Sequence, residues 1–312
     1  MHGLWYCKLF FNPKSHFMKS LIHSITRFPV LGILFAVLIF TSCKKDNSIS
    51  PEDEIATLES MENDATADFS YSAVTDDALD IAMEENQDYF GFQSPSTTDF
   101  TTPRLPNGRI QRCFTVVVDS TPGTVFPVTV TIDFKDGCVG RDGKTRKGKI
   151  ITVYSGRMRI PGNKATTTFN AYFIDSINVN GTHILTNVSR NDIPAFKREV
   201  INGKLTWNSG RWVKWTAVRT VAMINGIQTP FDRKDDVFRI TGEGRGENSR
   251  GKTWTHEITE GLIKKTICRW ISSGVIRFRH NAAVGALNYG NGACDNKAIL
   301  TVNGRSKEIT LR

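Results

Sequence analysis

The sequence predicts an all-β fold, an antiparallel up-and-down meander preceded by a disordered acidic tether and one short helix. From Ile110 onward, short segments rich in β-branched and aromatic residues alternate polar with apolar positions, which is the period of a half-buried strand. Asn-Gly and Asp-Gly pairs recur between these segments and favour the tight turns of β-hairpins. The spacing of Asn180, Asn202 and Asn225 predicts successive hairpins with about 10 residues per strand, and about a dozen strands in all. Such a meander forms a half-barrel, a closed barrel or a sandwich.

The first 42 residues have the pattern of a signal peptide. The apolar run from Phe28 to Phe40 has 13 residues, whereas a helix that crosses a bilayer needs about 20. Lys19 and Arg27 supply the positive charge that precedes such a run, so we expect Met18 to be the start. An uncleaved apolar helix is the alternative, but the polar restart after this run fits processing better.

The end of this run resembles the lipobox of a bacterial lipoprotein, in which a small residue, here Ser42, precedes a cysteine, here Cys43. The resemblance implies that Cys43 is acylated and becomes the first residue of the mature chain. The charged stretches Lys44 to Asp46 and Glu52 to Glu54 are similar to the export tags of Bacteroidota surface lipoproteins. They imply a lipid-anchored outer-membrane protein at the cell surface, with the periplasmic face of that membrane as the alternative.

Residues 43–109 are expected to form the acylated N-terminus, the acidic tether and a linker. Low hydrophobicity and high charge predict disorder up to about Ser70. The segment 75–87 is predicted to be a short helix, because Thr75 suits the N-cap, acidic residues follow it, and Ile81 shares a face with two alanines. A Pro/Ser/Thr/Gly-rich linker then leads to the basic β-domain, residues 110–312.

Charge divides the mature chain sharply. Residues 44–100 contain two lysines and 15 acidic residues, a net charge of −13, whereas residues 101–312 contain 34 Lys and Arg against 16 Asp and Glu, a net charge of +18. A basic surface concentrates anionic ligands. An exported protein meets acidic glycans and lipopolysaccharide, so we expect no nucleic-acid partner. The alternative is a solvated basic surface that the acidic arm partly neutralises.

Four cysteines in the β-domain predict two disulfides, because exported proteins seldom keep free thiols. Between Cys113 and Cys138 lie 24 residues, and between Cys268 and Cys294 lie 25. In both pairs an aromatic residue, a short polar turn and glycine precede the second cysteine. We therefore expect the bonds Cys113–Cys138 and Cys268–Cys294 and a weak internal duplication of residues 113–155 and 268–302. A zinc site is the alternative, although no CxxC pair occurs.

The last segment of the chain, LNYGNGACDNKAILTVNGRSKEITL, resembles the C-terminus of a Bacteroidota family of outer-membrane and surface lipoproteins of unknown function. The segment GRDGKTRKGKI fits the same family. The resemblance implies a location and no mechanism.

Two sequence features suggest a catalytic or cofactor-binding role, but the residues around them argue against that role. Gly246 to Thr253 matches the phosphate-binding pattern GxxxxGK[ST], but the next residues alternate like a strand, and the motif requires a helix there. We expect no nucleotide and no other cofactor. His183, His256 and His280 lie in strand-like segments without ligand spacing or a marked nucleophile, so no metal site and no catalytic residue are predicted.

The candidate ligand surface consists of Arg211, Trp212, Lys214 and Trp215. Trp212 and Trp215 differ by an odd number and so face opposite sides of a regular strand. An exposed tryptophan beside basic residues suits stacking on sugar rings with anion recognition nearby, whereas packing in the core is the alternative.

These observations favour a non-enzymatic, membrane-anchored lipoprotein with a structural or binding role, for an anionic glycan or lipopolysaccharide. Two alternatives remain open. One is a periplasmic or surface enzyme that acts on glycan, and the other is a lipid or lipoprotein chaperone whose half-barrel has an apolar trough.

Overall fold

The computed structural model describes residues 51–85, 113–140, 143–229, 232–268, 270–280 and 283–311. All of them belong to one compact unit, Asn47–Arg312. The described part contains a long helix, α1 (Pro51–Glu85), one turn of 3-10 helix (Arg233–Asp235) and fourteen strands. The strands are β1 (Thr115–Ser120), β2 (Val128–Asp133), β3 (Cys138–Val139), β4 (Thr145–Tyr154), β5 (Lys164–Ile174), β6 (Ile177–Asn187), β7 (Ala195–Trp207), β8 (Trp212–Asn225), β9 (Val237–Asn248), β10 (Thr253–Lys265), β11 (Ser273–His280), β12 (Ala283–Asn291), β13 (Lys297–Val302) and β14 (Arg305–Thr310).

The strands form one antiparallel sheet in which neighbours along the chain are neighbours in space. The order runs from β1 through β2 and β4 to β14, and the short β3 pairs with β4 off this path. Within the described residues no pairing joins β1 to β14, so the sheet is open. The predicted antiparallel meander is confirmed, and the closed barrel and the two-sheet sandwich are excluded. Among the described residues, neither α1 nor any other helix qualifies as a membrane-spanning segment.

The sheet curves around α1. Glu54, near the start of the helix, forms an ion pair with Lys307 on β14, and Tyr71 packs edge-on against Phe169 on β5 with ring centroids 6.2 Å apart. The helix rises about 25 Å between Glu54 and Tyr71. The nine strand-to-strand steps from β14 to β5 would span about 43 Å in a flat sheet. Both contacts reach one helix only because the sheet bends, and we call the side that faces α1 the inner face.

The helix is longer than predicted. It begins at Pro51, so the expectation of disorder up to Ser70 is wrong for residues 51–70. Residues 75–85 of the helix predicted at 75–87 are the last part of α1. Residues 43–50 and 86–109, which include Cys43 and the linker, lie outside the described residues.

The buried side of α1 explains this difference. Its buried residues recur with helical spacing, but most of them are polar or small: Thr57, Ser60, Met61, Asn63, Asp64, Ala67, Ser70, Tyr71 and Val74. A face of this kind produces no apolar periodicity in the sequence. The helix is instead stabilised by polar groups of the sheet, which only the folded chain brings to it.

The Asn-Gly pairs serve two different structures. Asn303 and Gly304 form the β13–β14 turn, with φ of 49° and 82°. Asn180-Gly181 and Asn202-Gly203 instead lie inside β6 and β7, where the pairing registers shift at bulges. Turns and bulges both favour residues that accept positive φ, so local sequence does not distinguish them. The strands β6, β7 and β8 are therefore longer than predicted, at 11, 13 and 14 residues.

Two disulfides each link segments at the ends of nearby strands. Cys113 pairs with Cys138 and Cys268 with Cys294, with Cα atoms 5.4 and 5.1 Å apart. This is the pairing that the spacing predicts. The proposed internal duplication stays a prediction.

Strand β9 presents glycines to the inner face at positions 242, 244 and 246. Gly246 lies opposite Trp215 on β8 and Trp254 on β10, and a Cβ atom at this position would overlap the Trp254 indole. A Cβ atom at Gly244 would meet the imidazole of His256 in the same way. Because β9 has no side chains here, the large rings of β10 lie across it and reach α1.

We predict that Gly246→Ala destabilises the protein by about 1–3 kcal/mol, because the added methyl group forces the Trp254 ring out of its packed position. The free energy of unfolding, measured by chemical denaturation, tests this. Gly261→Ala is the matched control, since the nearest atom there is Cγ of the flexible Arg239 side chain, at 2.9 Å. Equal stabilities of the two variants would contradict the prediction.

Candidate ligand-binding face

The centre of the inner face is a buried carboxylate, that of Asp64 on α1. Its Oδ1 accepts hydrogen bonds from the indole nitrogens of Trp215 at 2.6 Å and Trp254 at 3.3 Å. The same oxygen lies 2.6 Å from Nδ1 of His256, and Oδ2 lies 3.7 Å from Nη2 of Arg219. Four side chains from β8 and β10 thus converge on one residue of the helix.

Two opposing effects act on the pKa of Asp64. Burial raises it, because the charged form loses its water. The hydrogen bond and electrostatic interaction with His256, the positive charge of Arg219, and the hydrogen bond from Trp215 together outweigh burial and hold the pKa below its ordinary value of 3.8. Asp64 is therefore a charged structural group that holds α1 in the curve of the sheet.

The packing of α1 against the inner face separates Trp215 from the other three residues of the predicted ligand surface. Trp215 is buried with only 3% of its surface exposed, and it stacks on Tyr71 with ring centroids 5.8 Å apart. It therefore belongs to the core. Trp212 and Lys214 lie on the outer face, the side away from α1, and Arg211 is exposed in the preceding turn.

Trp212 lies among basic groups. The ammonium nitrogens of Lys214 and Lys204 lie 4.8 and 5.9 Å from its ring centroid. The guanidinium of Arg211 lies 4.2 Å from the ring centroid of Trp207. Three of the four predicted residues therefore occupy one end of the outer face, and Trp212 is half-exposed there.

A groove continues from Lys214 across the outer face of β8 to β11. It has two adjoining lobes of about 450 and 550 Å³, which share Thr216, Arg245, Thr255 and Arg279. The strand registers place these four residues in one row, each opposite the next on adjacent strands. The groove therefore alternates hydroxyl groups with guanidinium groups.

Three arginines of the groove have free hydrogen-bonding capacity. Arg245, Arg277 and Arg279 are exposed, and none of them forms an ion pair with a described residue. Lys214, by contrast, lies 3.6 Å from Glu247. Each guanidinium offers five N–H donors in a planar fork that matches carboxylate, sulfate or phosphate groups.

Two carboxylates share the first lobe. Glu243 on β9 and Glu257 on β10 are directly opposite each other, which places their Cβ atoms about 4.5–5.5 Å apart. Paired carboxylates about 5–10 Å apart are the residue types that glycoside hydrolysis requires. They also reduce the positive charge of this lobe, so its net charge is lower than the arginines alone suggest.

The other sequence motifs have structural positions. Residues 246–253, which match the phosphate-binding pattern, form the β9–β10 hairpin. His183 and His280 are buried, and Nδ1 of His280 lies 2.7 Å from the carbonyl oxygen of Thr253. Among the described residues no group of three or more His, Cys, Asp and Glu side chains is placed to hold a metal ion.

Neither the groove arginines nor Asp64 are among the residues predicted from the sequence. Arg277 and Arg279 are two apart in an alternating strand, a spacing that places them on one face, whereas the proximity of Arg245 depends on sheet register. Nothing in the sequence distinguishes Asp64 from the other acidic residues of the arm. The start of α1 was also missed, although Ser50-Pro51-Glu52-Asp53 is a helix-start signal with an N-cap residue, proline and early acidic residues.

Comparisons with known proteins add no identification: no family model, no curated protein and no solved structure matches the chain. The resemblance to Bacteroidota lipoproteins therefore stays a prediction.

We predict that Asp64→Asn destabilises the protein by about 3–5 kcal/mol, because it removes the charge that the buried Arg219 faces. The pKa of Asp64 is lower in the folded than in the unfolded chain, so its contribution is full above the unfolded value and is lost as the pH falls through the folded value. Below about pH 4 the wild type should therefore lose stability more steeply than Asp64→Asn. Denaturation at several pH values measures both effects.

The matched control is Asp68→Asn, on the same helix and beside the same arginine, whose carboxylate is 45% exposed. Its cost should stay below about 1 kcal/mol. If the two variants lose stability equally, or if the acid dependence of Asp64→Asn equals that of the wild type, Asp64 does not hold the helix in the proposed way.

Proposed function

We propose that this protein is a non-enzymatic, lipid-anchored outer-membrane lipoprotein that binds an anionic saccharide in the groove on its outer face. The ligand class is a glycan that carries carboxylate, sulfate or phosphate groups, either in a free polysaccharide or in lipopolysaccharide.

The observation that carries this proposal is the set of three exposed arginines, Arg245, Arg277 and Arg279, along one groove. Guanidinium groups bind such anions through paired hydrogen bonds. The hydroxyl group of Thr255 lies between Arg245 and Arg279, that of Thr216 lies on the other side of Arg245, and both suit the hydroxyl groups of a sugar.

The aromatic end of the outer face supports the same ligand class. Trp212 adjoins the groove through Lys214 and is half-exposed. An aromatic face stacks on the apolar side of a sugar ring, and a neighbouring cation engages an acidic substituent. The groove and Trp212 together form a surface suited to several sugar units.

The position of α1 favours this proposal over a lipid chaperone. The inner face, which would be the lipid trough, packs against α1 through buried residues such as Met61, Tyr71 and Val74. A lipid in the trough would have to displace the helix and leave the carboxylate of Asp64 and its partners unpaired, which is costly.

We predict that the purified full chain binds anionic glycans or lipopolysaccharide on an array and that neutral glycans bind less tightly. Replacement of Arg245, Arg277 and Arg279 by glutamine should weaken binding about tenfold or more, because charge-assisted hydrogen bonds are lost. Raising the salt concentration should also weaken binding, because ions screen exposed charges.

A triple variant of Arg159, Lys164 and Arg190 to glutamine is the matched control, since these exposed basic residues lie at the opposite end of the strands. It removes the same charge and should bind like the wild type. If both triple variants lose the same binding affinity, binding depends on the net charge of the protein and not on the groove. Release of shortened glycan, abolished by Glu257→Gln, would instead establish the enzymatic alternative.

For the anchor, we predict that Cys43→Ser moves the protein from the membrane fraction to the soluble fraction, because the acceptor of the lipid is removed. Immunoblots of separated fractions and metabolic labelling with a fatty acid analogue measure this. Continued membrane association of the variant through an uncleaved N-terminus would refute the lipobox interpretation without affecting the groove.

A further inference from the structure

A second polar site lies on the opposite side of the sheet, between α1 and the inner face of β6, β7 and β8. It is a cavity of about 100 Å³. Since a water molecule takes up about 30 Å³ in the liquid, the space is sufficient for a small ion with one or two waters. Its polar lining consists of His183, Arg198 and Arg219 from the sheet and Asp68, Tyr71 and Ser72 from α1.

Two arginines face each other in this cavity. Arg198 on β7 and Arg219 on β8 are directly opposite in the strand register, and both point to the inner face. Like charges in this arrangement repel each other. A pair of buried or half-buried guanidinium groups therefore needs negative charge or hydrogen-bond acceptors nearby.

The helix satisfies these arginines only in part. Nη1 of Arg198 donates to Oγ of Ser72 at 3.2 Å, and Arg219 lies 3.5 Å from Asp68 through Nε and 3.7 Å from Asp64 through Nη2. Nε of Arg198 and Nη1 of Arg219 are buried and have no hydrogen-bond partner within the described residues. Arg219 is only 6% exposed, so bulk water does not replace the missing acceptor.

The remaining groups of the lining do not satisfy these two donors. Burial and the charge of Arg198 lower the pKa of His183 to about 3, so its imidazole is neutral at physiological pH. Asp68 is the single carboxylate that lines the cavity, and Asp64, 3.7 Å from Arg219, also accepts hydrogen bonds from Trp215 and Trp254. These two carboxylates match the charge of the two guanidinium groups, so the case for a ligand rests on the two unpartnered donors.

We propose that the cavity binds a small monovalent anion, a halide or a short carboxylate, between Arg198 and Arg219 beneath α1. The anion accepts hydrogen bonds from the two unpartnered donors and separates the two positive charges. It thereby links the helix to the sheet, and the folded protein should be more stable when the site is occupied. This site is separate from the outer-face groove and does not depend on the function proposed for it.

Thermal unfolding of the full chain in sodium chloride, bromide, acetate and gluconate, at constant ionic strength, tests the proposal. We expect a saturable rise in Tm of about 2–4 °C with chloride, bromide or acetate. Gluconate is too large for the cavity and should give no such rise. The comparison of the halides with acetate decides whether the site binds a halide or a short carboxylate.

Arg198→Gln should abolish the rise, because it removes one of the two charges that hold the anion. Lys197→Gln is the matched control, since Lys197 is adjacent on β7 and pairs with Glu199 at 2.9 Å, away from the cavity. It should retain the full response to anions.

Bromide-soaked crystals give a measurement that does not depend on any variant. An anomalous peak between Arg198 and Arg219 is expected. The proposal is overturned if Tm is the same in all four salts, if Arg198→Gln responds like the wild type, or if the cavity contains only water in the bromide crystals.

Discussion

The structure depends on the burial of one carboxylate, that of Asp64. A buried carboxylate is costly unless charged and hydrogen-bonding partners surround it. Here the partners come from β8 and β10, and β9 between them carries glycines that let the rings reach the helix. The helix therefore docks only when three strands have the right register, which couples the N-terminal acidic arm to the folding of the sheet.

This interaction also changes the meaning of the charge division. Part of the acidic arm is an internal element: Glu54 pairs with Lys307, Glu59 with Arg250, and Asp64 and Asp68 lie near Arg219. The arm does neutralise some of the basic body, as one interpretation of the sequence expects. The outer-face arginines form no ion pair with the described part of the arm, residues 51–85, and they are exposed.

The two faces of the sheet therefore have different roles. The inner face accommodates α1 and a cavity between two opposed arginines, whereas the outer face presents a groove with guanidinium and hydroxyl groups. Both features arise from period-two alternation in neighbouring strands, and β8 contributes to both of them. On β8, Thr216 faces the groove and Arg219 faces the cavity, because residues an odd number of positions apart point to opposite faces of a strand.

Sequence alone determined the strand content, the antiparallel meander and the cysteine pairing, because alternation, turn residues and cysteine spacing are local patterns. It also placed Trp212 and Trp215 on opposite faces. Only the tertiary structure decided that the sheet is open, that two Asn-Gly pairs are bulges, and that the acidic arm is a long helix. The physical reason is the same in each case. Positive φ serves turns and bulges equally, and a helix with a polar buried face is specified by partners more than 100 residues away, such as Trp215 and Trp254 for Asp64.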